Sequence, residues 1–323
     1  MNYSLPDAGV AMIVKNAVKD IGRALNSVRN VARQIVVVDT GSDDRTPEIA
    51  CGLGAEVHFF QWRDSFSAAR NYALKAMRTA WILQLDADEE LLPDGIDAVS
   101  AILSDDRFGG ASMRIINDLA DETQSEHRFT RLFRNHSDIR YAGNIHEQIA
   151  PSIIKAGYNV AESSLCIRHY GYAENSPQRA ARNIALLERE LSERPDDDWL
   201  RYHLASALFT AKMYGKSGLL FNEICDSRQL SVGQREYAKL RAAQAAVALD
   251  EPDRAEAYLG FHSVDPAREG LRLYVLALSA AASRNFTQAA ALLRSPEVGA
   301  SSLVHQDEAQ KFLSIFESMT RRA

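Results

Sequence analysis

Apolar residues follow two rhythms along this chain. Between residues 10 and 100, short blocks of consecutive apolar residues alternate with stretches where they recur every three or four positions. Val10-Ala11-Met12-Ile13-Val14 reads as a strand closed by polar Lys15-Asn16, and a helical pattern continues through Leu25 and Val28. The β-branched run Ile35-Val36-Val37-Val38 is stopped by Asp39-Thr40-Gly41-Ser42. Thr46-Pro47-Glu48 opens a helix, with proline in its first turn and an acid beside it, and Gly52 and Gly54 end it. Ala55 to Phe60 predicts a third strand, Ser67 to Met77 a helix, and Trp81-Ile82-Leu83-Gln84-Leu85 a fourth strand. Such alternation predicts an α/β domain with a mostly parallel sheet covered on both faces.

From about Ser176 the rhythm is helical throughout and rich in alanine, with Pro195, Pro252 and Pro266 as punctuation. Small residues recur twelve apart, each with a large apolar residue four further on: Ala205, Ser217, Phe221, then Ala243, Ala255, Leu259, then Ala277, Ala289, Leu293. The middle members are spaced by 38 and 34 residues, close to the tetratricopeptide period of about 34. Two domains are expected: residues 1–175, and residues 176–323 as an all-α stack of helical hairpins capped by a last helix from about His305 to Met319.

Composition narrows the field. The 323 residues are 46% hydrophobic and 25% charged, ordinary for a globular chain. A net charge of −6 gives no general attraction to nucleic acid. Cys51, Cys166 and Cys225 lie far apart with no Cys-x-x-Cys, which argues against a disulfide framework or a zinc cluster. Met1 to Asp7 has no signal-peptide pattern and no segment reaches the length of a membrane span, so a cytoplasmic protein is expected. The sequons at Asn135 and Asn285 then carry no meaning.

Asp86-Ala87-Asp88 stands where the fourth strand should emerge from the sheet. Carboxylates are hard ligands suited to Mg²⁺ or Mn²⁺, with substrate phosphates completing the shell, and strand ends are where open α/β sheets bind ligands. An isolated Asp-x-Asp is expected by chance roughly once in such a chain, so its neighbours must carry the weight. Three other patterns dissolve on inspection. Gly215-Lys216-Ser217 lacks the first glycine of a P-loop, since residue 210 is Thr. His146-Glu147-Gln148-Ile149-Ala150 lacks a zincin's second histidine, and no Gly-x-Gly-x-x-Gly follows a strand.

Seven ordered motifs over about 160 residues resemble the family-2 glycosyltransferases of the GT-A, Rossmann-like fold. They are Met12 to Asn16, Ile35 to Thr46, Phe66-Ser67-Ala68-Ala69-Arg70-Asn71, Trp81 to Glu89, Arg131 to Asn135, Gly143-Asn144-Ile145-His146-Glu147, and His169-Tyr170-Gly171-Tyr172. The subgroup they resemble carries C-terminal tetratricopeptide-like helices and includes bacteriocin S-glycosyltransferases and lipopolysaccharide-core glucosyltransferases. Ala17-Val18, where acids are usual, and Asp43, in place of a small hydroxyl residue, depart from its pattern. Both departures bear on loop conformation or acceptor choice.

The resemblance implies an inverting, metal-dependent transfer of a hexose from a nucleotide-diphosphate sugar, UDP-linked, using Mn²⁺ or Mg²⁺. It assigns donor binding to Val14, Asp39, Arg70, Asp86, Arg131 and Arg134. For Asp39, contact with a base N–H competes with a turn cap onto Gly41-Ser42; for Arg70, contact with the nucleotide competes with an ordinary surface position. Asp88 is expected on the metal, with Asp86 at the ribose or the metal's water, and His169 and His146 as further ligand candidates; packing beside Tyr170 and Tyr172 is the other role open to His169. Arg131 and Arg134 would line the diphosphate or form a solvated pair. Glu147 is the candidate base, the alternative being a partner of His146 or a structural salt bridge. The acceptor stays open among a protein or peptide, lipopolysaccharide core and other glycans, and the repeats could engage a protein partner. A repeat-based adaptor with a degenerate transferase domain is the competing function, disfavoured because both acids are present. A nucleotidyltransferase would need a Gly-rich activation loop after the first strand, and there is none.

Overall fold

The computed structural model describes Leu5 and residues 7–118, 124–170 and 177–321. It divides into two units, Met1–Ser176 and Pro177–Ala323. In the first, the apolar blocks become β1 (Ala8–Val14), β2 (Ile35–Asp39), β3 (Glu56–Phe59) and β4 (Trp81–Gln84), and the stretches between them become α1 (Ile21–Val28), α2 (Thr46–Gly52) and α3 (Phe66–Ala76). Pro47 sits in the first turn of α2, and Gly54 leaves that helix at φ 87°, a conformation glycine enters freely. The chain then adds β5 (Glu89–Leu91), α4 (Ser100–Leu103), β6 (Phe108–Asp118), β7 (Gln124–Arg134), α5 (Ala150–Lys155) and β8 (Asn159–His169).

Among the described residues the strand order is β3-β2-β1-β4-β7-β6-β8-β5. The sheet is mostly parallel, with β7 and β5 reversed against the rest. Every residue of β2 and β4 is buried, as the two-sided cover requires. Because side chains alternate along a strand, Val10, Met12, Val37 and Leu83 pack on one side with Ile21, Ala24, Leu25 and Val28 of α1. Ala11, Val36, Val38 and Ile82 pack on the other with Ala73 and Leu74 of α3. The C-terminal ends of β1, β2, β4, β6 and β8 therefore share one edge, the ligand edge of such sheets.

The second unit begins with α6 (Pro177–Glu193) and continues in helical pairs: α7 (Asp198–Thr210) with α8 (Tyr214–Ile224), α9 (Val232–Ala248) with α10 (Pro252–Tyr258), and α11 (Pro266–Ala282) with α12 (Phe286–Leu293). α13 (Pro296–Ala300) and α14 (Gln306–Thr320) follow, α14 packing on α12. All nine small and large positions of the predicted repeat are buried, none more than 5% exposed. Each pair opens on a capping side chain, Asp197, Ser231 or Asp265, a spacing of 34 residues throughout, which accepts from the amide three residues on. Each pair also turns through one left-handed residue: Lys212, Asp250 and Arg284, at φ 59°, 60° and 61°. The 38-residue interval in the sequence arises because α9 has 17 residues and α7 has 13, one turn fewer. Ser217, the false P-loop serine, is buried and donates to Ala205 O at 2.8 Å. No described helix is long and apolar enough to cross a membrane.

Candidate active site

Two loops at the strand edge are stitched into one rim. After β1, Asn16 takes a left-handed conformation, φ 53°; its amide donates to Ser42 Oγ at 2.8 Å, and its side-chain oxygen accepts from Asp43 N at 2.9 Å. Ala17 N donates to Thr46 Oγ1 at 2.8 Å and Val18 N to Asp44 Oδ2 at 3.2 Å. The hydrogen bond from the Thr46 hydroxyl outweighs the opposing effect of burial and, joined by bonds from backbone amides, holds the Asp44 carboxyl below its usual range. Residues 17, 18 and 43 join this rim through their backbone amides, which other residues at those positions would offer equally. Val14, expected at the donor, instead turns its side chain into the core, and its carbonyl accepts from both Thr40 N and Thr40 Oγ1 at 2.9 Å.

Asp39 ends β2 at 2% exposure. Its Oδ1 accepts from Gly41 N and Ser42 N, both at 2.9 Å, so the turn cap is real. Its Oδ2 is buried and has no hydrogen-bond partner among the described residues. A buried carboxylate oxygen without a donor calls for an explanation, and a ligand N–H supplies one.

Beyond β4 the acids separate into two roles. Asp86 Oδ1 accepts from Arg70 Nη2 at 2.9 Å, and Asp86 Oδ2 from Arg131 Nη1 at 3.4 Å. Arg70 Nε also donates to Glu147 Oε1, and Arg131 Nη2 donates to Glu89 Oε1 at 2.7 Å, while Glu89 Oε2 accepts from Asp86 N at 2.9 Å. The result is a chain of alternating charge, Glu147–Arg70–Asp86–Arg131–Glu89. Burial opposes ionisation of Asp86, yet Arg70 and then Arg131 overcome it and hold the carboxyl at about 2. At Glu89, 2% exposed, burial wins over Arg131 and pushes the carboxyl up. Arg70 is 7% exposed, which removes the surface-arginine reading.

Asp88 stands outside that chain. Its Oδ2 lies 3.4 Å from His169 Nε2, its carbonyl accepts from Tyr170 N at 2.9 Å, and His169 Nδ1 is 2.9 Å from Asn117 Oδ1. Burial alone would lower the His169 imidazole; Asp88, with Glu89 and Asp86 behind it, outweighs burial and leaves the pKa raised. β8 pairs with both β5 and β6, and this pairing brings His169 opposite Glu89 and Asn117. Gly171 and Tyr172 of the same motif lie outside the described residues.

Among the described residues no three His, Cys, Asp or Glu side chains converge as a finished metal cage. Mg²⁺ and Mn²⁺ are commonly held by one or two protein ligands together with waters and substrate phosphates, and Asp88 with His169 fits that pattern. Asp86 does not, since arginines occupy both its oxygens. His146 adopts φ 52° beside Glu147, and burial pushes its imidazole down. Arg134 is a correction. It lies opposite Trp81 at the far end of β4, stacks on that ring at 4.8 Å, and donates to Phe108 O at 2.7 Å and Asp105 O at 3.1 Å. Residues three apart on a strand point to opposite faces, so Arg131 and Arg134 cannot line one diphosphate.

Sequence reasoning missed Asn117, Asn71, Tyr141 and Gln84 as site residues. Asn71 stood within a recognised motif, and Glu89 beside the Asp-x-Asp, but neither position told which partner it would meet.

The first unit is a glycosyltransferase domain of family 2, since residues 9–157 match the family model described as Glycosyl transferase family 2. Among relatives, a TPR repeat-containing protein of Synechococcus elongatus is 34% identical over 64% of this chain and 54% of its own length. The SPbeta prophage-derived glycosyltransferase SunS of Bacillus subtilis is 28% identical over 60% of this chain and 48% of its own. The chain spans about half the length of the curated relatives it matches. A mannosyltransferase from Pyrobaculum calidifontis in complex with GDP-Man and Mn²⁺ superposes with a TM-score of 0.49 at 16% identity, over 97% of this chain and 86% of that one. That superposition is too loose for residue correspondences.

Proposed function

We propose that this protein transfers a hexose, with inversion, from a UDP-linked donor to an acceptor, using Mn²⁺ or Mg²⁺. The observation that carries this reading is the division of labour within Asp86-Ala87-Asp88: Asp86 accepts from Arg70 and Arg131 on its two oxygens, while among the described residues the Asp88 carboxylate meets the His169 side chain alone, at 3.4 Å. Two solvated turn acids would have no reason to differ so sharply. Asp88 and His169 would hold the cation, which when bound supplies Lewis-acid neutralisation of the departing diphosphate. Asp39 Oδ2 would accept the N–H of a uracil-type base. Arg70 and Arg131, already facing this edge, would add positive field where negative charge develops.

Direct displacement at the anomeric carbon needs one base on the acceptor side. Glu147 suits the role: Arg70 fixes one oxygen, and the other makes no hydrogen bond among the described residues. Glu89, another nearby carboxylate, is buried and committed to Arg131. We assign donor chemistry to residues 1–175 and acceptor recruitment, whether protein, peptide or glycan, to the helical unit. A cytoplasmic setting belongs to this reading and is supported by three free cysteines.

The test is calorimetry of UDP with the full chain, with and without Mn²⁺. Metal-dependent binding that disappears in Asp88→Asn at unchanged melting temperature is the expected result. Equal binding in both forms, insensitive to EDTA, would overturn the reading.

A further inference from the structure

Two motifs far apart in sequence meet along α3. Phe66 N donates to Asn144 O at 2.8 Å, and Arg70 Nε donates to Glu147 Oε1. Asn71 does more than either: Nδ2 donates to Tyr141 O and Oδ1 accepts from Tyr141 N, both at 2.9 Å. One carboxamide thus satisfies both backbone groups of one residue, as a neighbouring strand would. Immediately beyond, Ala142 and Gln148 exchange backbone hydrogen bonds at 3.0 and 3.1 Å, closing residues 143–147 into a small loop with Gly143 at φ 96° and His146 at φ 52°. Tyr141 is 5% exposed, and its hydroxyl donates to Gln84 Oε1 at 2.9 Å.

We propose that Asn71 is a positioning residue: it seats the root of the 142–148 loop on α3, so that Glu147 faces the centre formed by Asp86 and Asp88. The inference rests on Glu147 being the acceptor-side base. Arg70 holds the same loop but also grips Asp86, so its loss would disturb donor and base together. Among the described residues the Asn71 side chain hydrogen-bonds the backbone of Tyr141 alone, and this separates the two effects. A loop anchored at Tyr141, Asn144 and Glu147 has little freedom to move the carboxylate, and removing the first anchor restores that freedom.

The experiment uses the full chain with UDP-glucose and Mn²⁺. UDP release with water as acceptor, UDP affinity by calorimetry, and amide exchange at Tyr141 are measured in Asn71→Ala, Asn71→Asp, Glu147→Gln and the Asn71→Ala/Glu147→Gln double variant. Displacing a catalytic group by about 1 Å can cost about 100-fold, so Asn71→Ala should slow release about 10- to 100-fold with UDP affinity within about twofold of wild type. In the Glu147→Gln background the same change should cost less than about threefold, because coupled residues are not additive. Tyr141 exchange should accelerate in Asn71→Ala. Asn71→Asp keeps the acceptor for Tyr141 N and should recover part of both protection and turnover. Equal losses in both backgrounds, UDP affinity falling in step with turnover, or unchanged Tyr141 exchange would overturn the positioning role while leaving the base assignment intact. Wild-type release by Glu147→Gln would overturn the base assignment and the positioning role with it.

Discussion

His169 Nε2 lies 3.4 Å from Asp88 Oδ2 while its other ring nitrogen, Nδ1, lies 2.9 Å from Asn117 Oδ1. A histidine whose Nδ1–H is given to an outer-shell acceptor presents Nε2 in a fixed direction, the arrangement that orients imidazole ligands around metals. Asn117 is itself oriented, because its Nδ2 lies 3.2 Å from His127 Nδ1.

Asn117→Ala is therefore expected to weaken Mn²⁺-dependent UDP binding by about 10- to 100-fold, the usual cost of losing an outer-shell partner. His169→Ala should cost at least as much. Manganese titrations followed by electron paramagnetic resonance would measure both. Unchanged Mn²⁺ affinity in His169→Ala would remove it from the ligand set.

Asp39→Asn should leave the turn intact, because the new Oδ1 can still accept from Gly41 and Ser42. The buried Oδ2 becomes an NH₂ facing the donor's N–H. UDP affinity is expected to fall about 10- to 100-fold, consistent with about 1.5–3 kcal/mol for a hydrogen bond to a charged group. Calorimetry checks this, and a far smaller change for a nucleotide lacking that N–H would tie the loss to base recognition.

Arg134→Ala should separate stability from binding. The side chain stacks on Trp81 and donates to two carbonyls, so its removal should cost about 2 kcal/mol of unfolding free energy. UDP affinity should remain within about twofold, since the residue lies at the opposite end of β4 from Asp86. A urea titration with a parallel binding curve tests both halves.

In the helical unit, Glu269 accepts from Arg272 Nη2 at 2.6 Å, Arg272 Nε at 2.9 Å and Ser263 N at 2.9 Å. Arg272 outweighs burial and holds the Glu269 carboxyl at about 2, against about 4.3 unfolded. A depressed folded pKa contributes stability that is complete above the unfolded value and is lost as pH falls toward the folded one. Wild type should thus exceed Glu269→Gln in melting temperature at pH 7, with the gap closing between about pH 5 and 2. A gap independent of pH would assign the effect to packing alone.

The sequence by itself determined the elements from Val10 to Leu85, the acids at the ends of β2 and β4, and the repeat of the second unit. These depend on local alternation, on turn chemistry and on small residues at fixed spacing, all of which act within a few residues or one repeat. It left β6 and β8 unread, because they carry charged residues such as Arg114 and Arg168 and shift register between Ser112 and Arg114. Only the tertiary structure decided that Arg70 meets Glu147 from 77 residues away and Asp86 from 16, that His169 reaches Asp88, and that Arg134 faces away from Arg131. Those outcomes follow from strand order and direction. Reversing β7 against β4 puts Arg131 at the ligand edge and Arg134 at the other, and inserting β6 beside β8 puts Asn117 against His169. Local propensity fixes which way a side chain alternates, whereas the partner it meets is chosen by which distant strands lie next to one another.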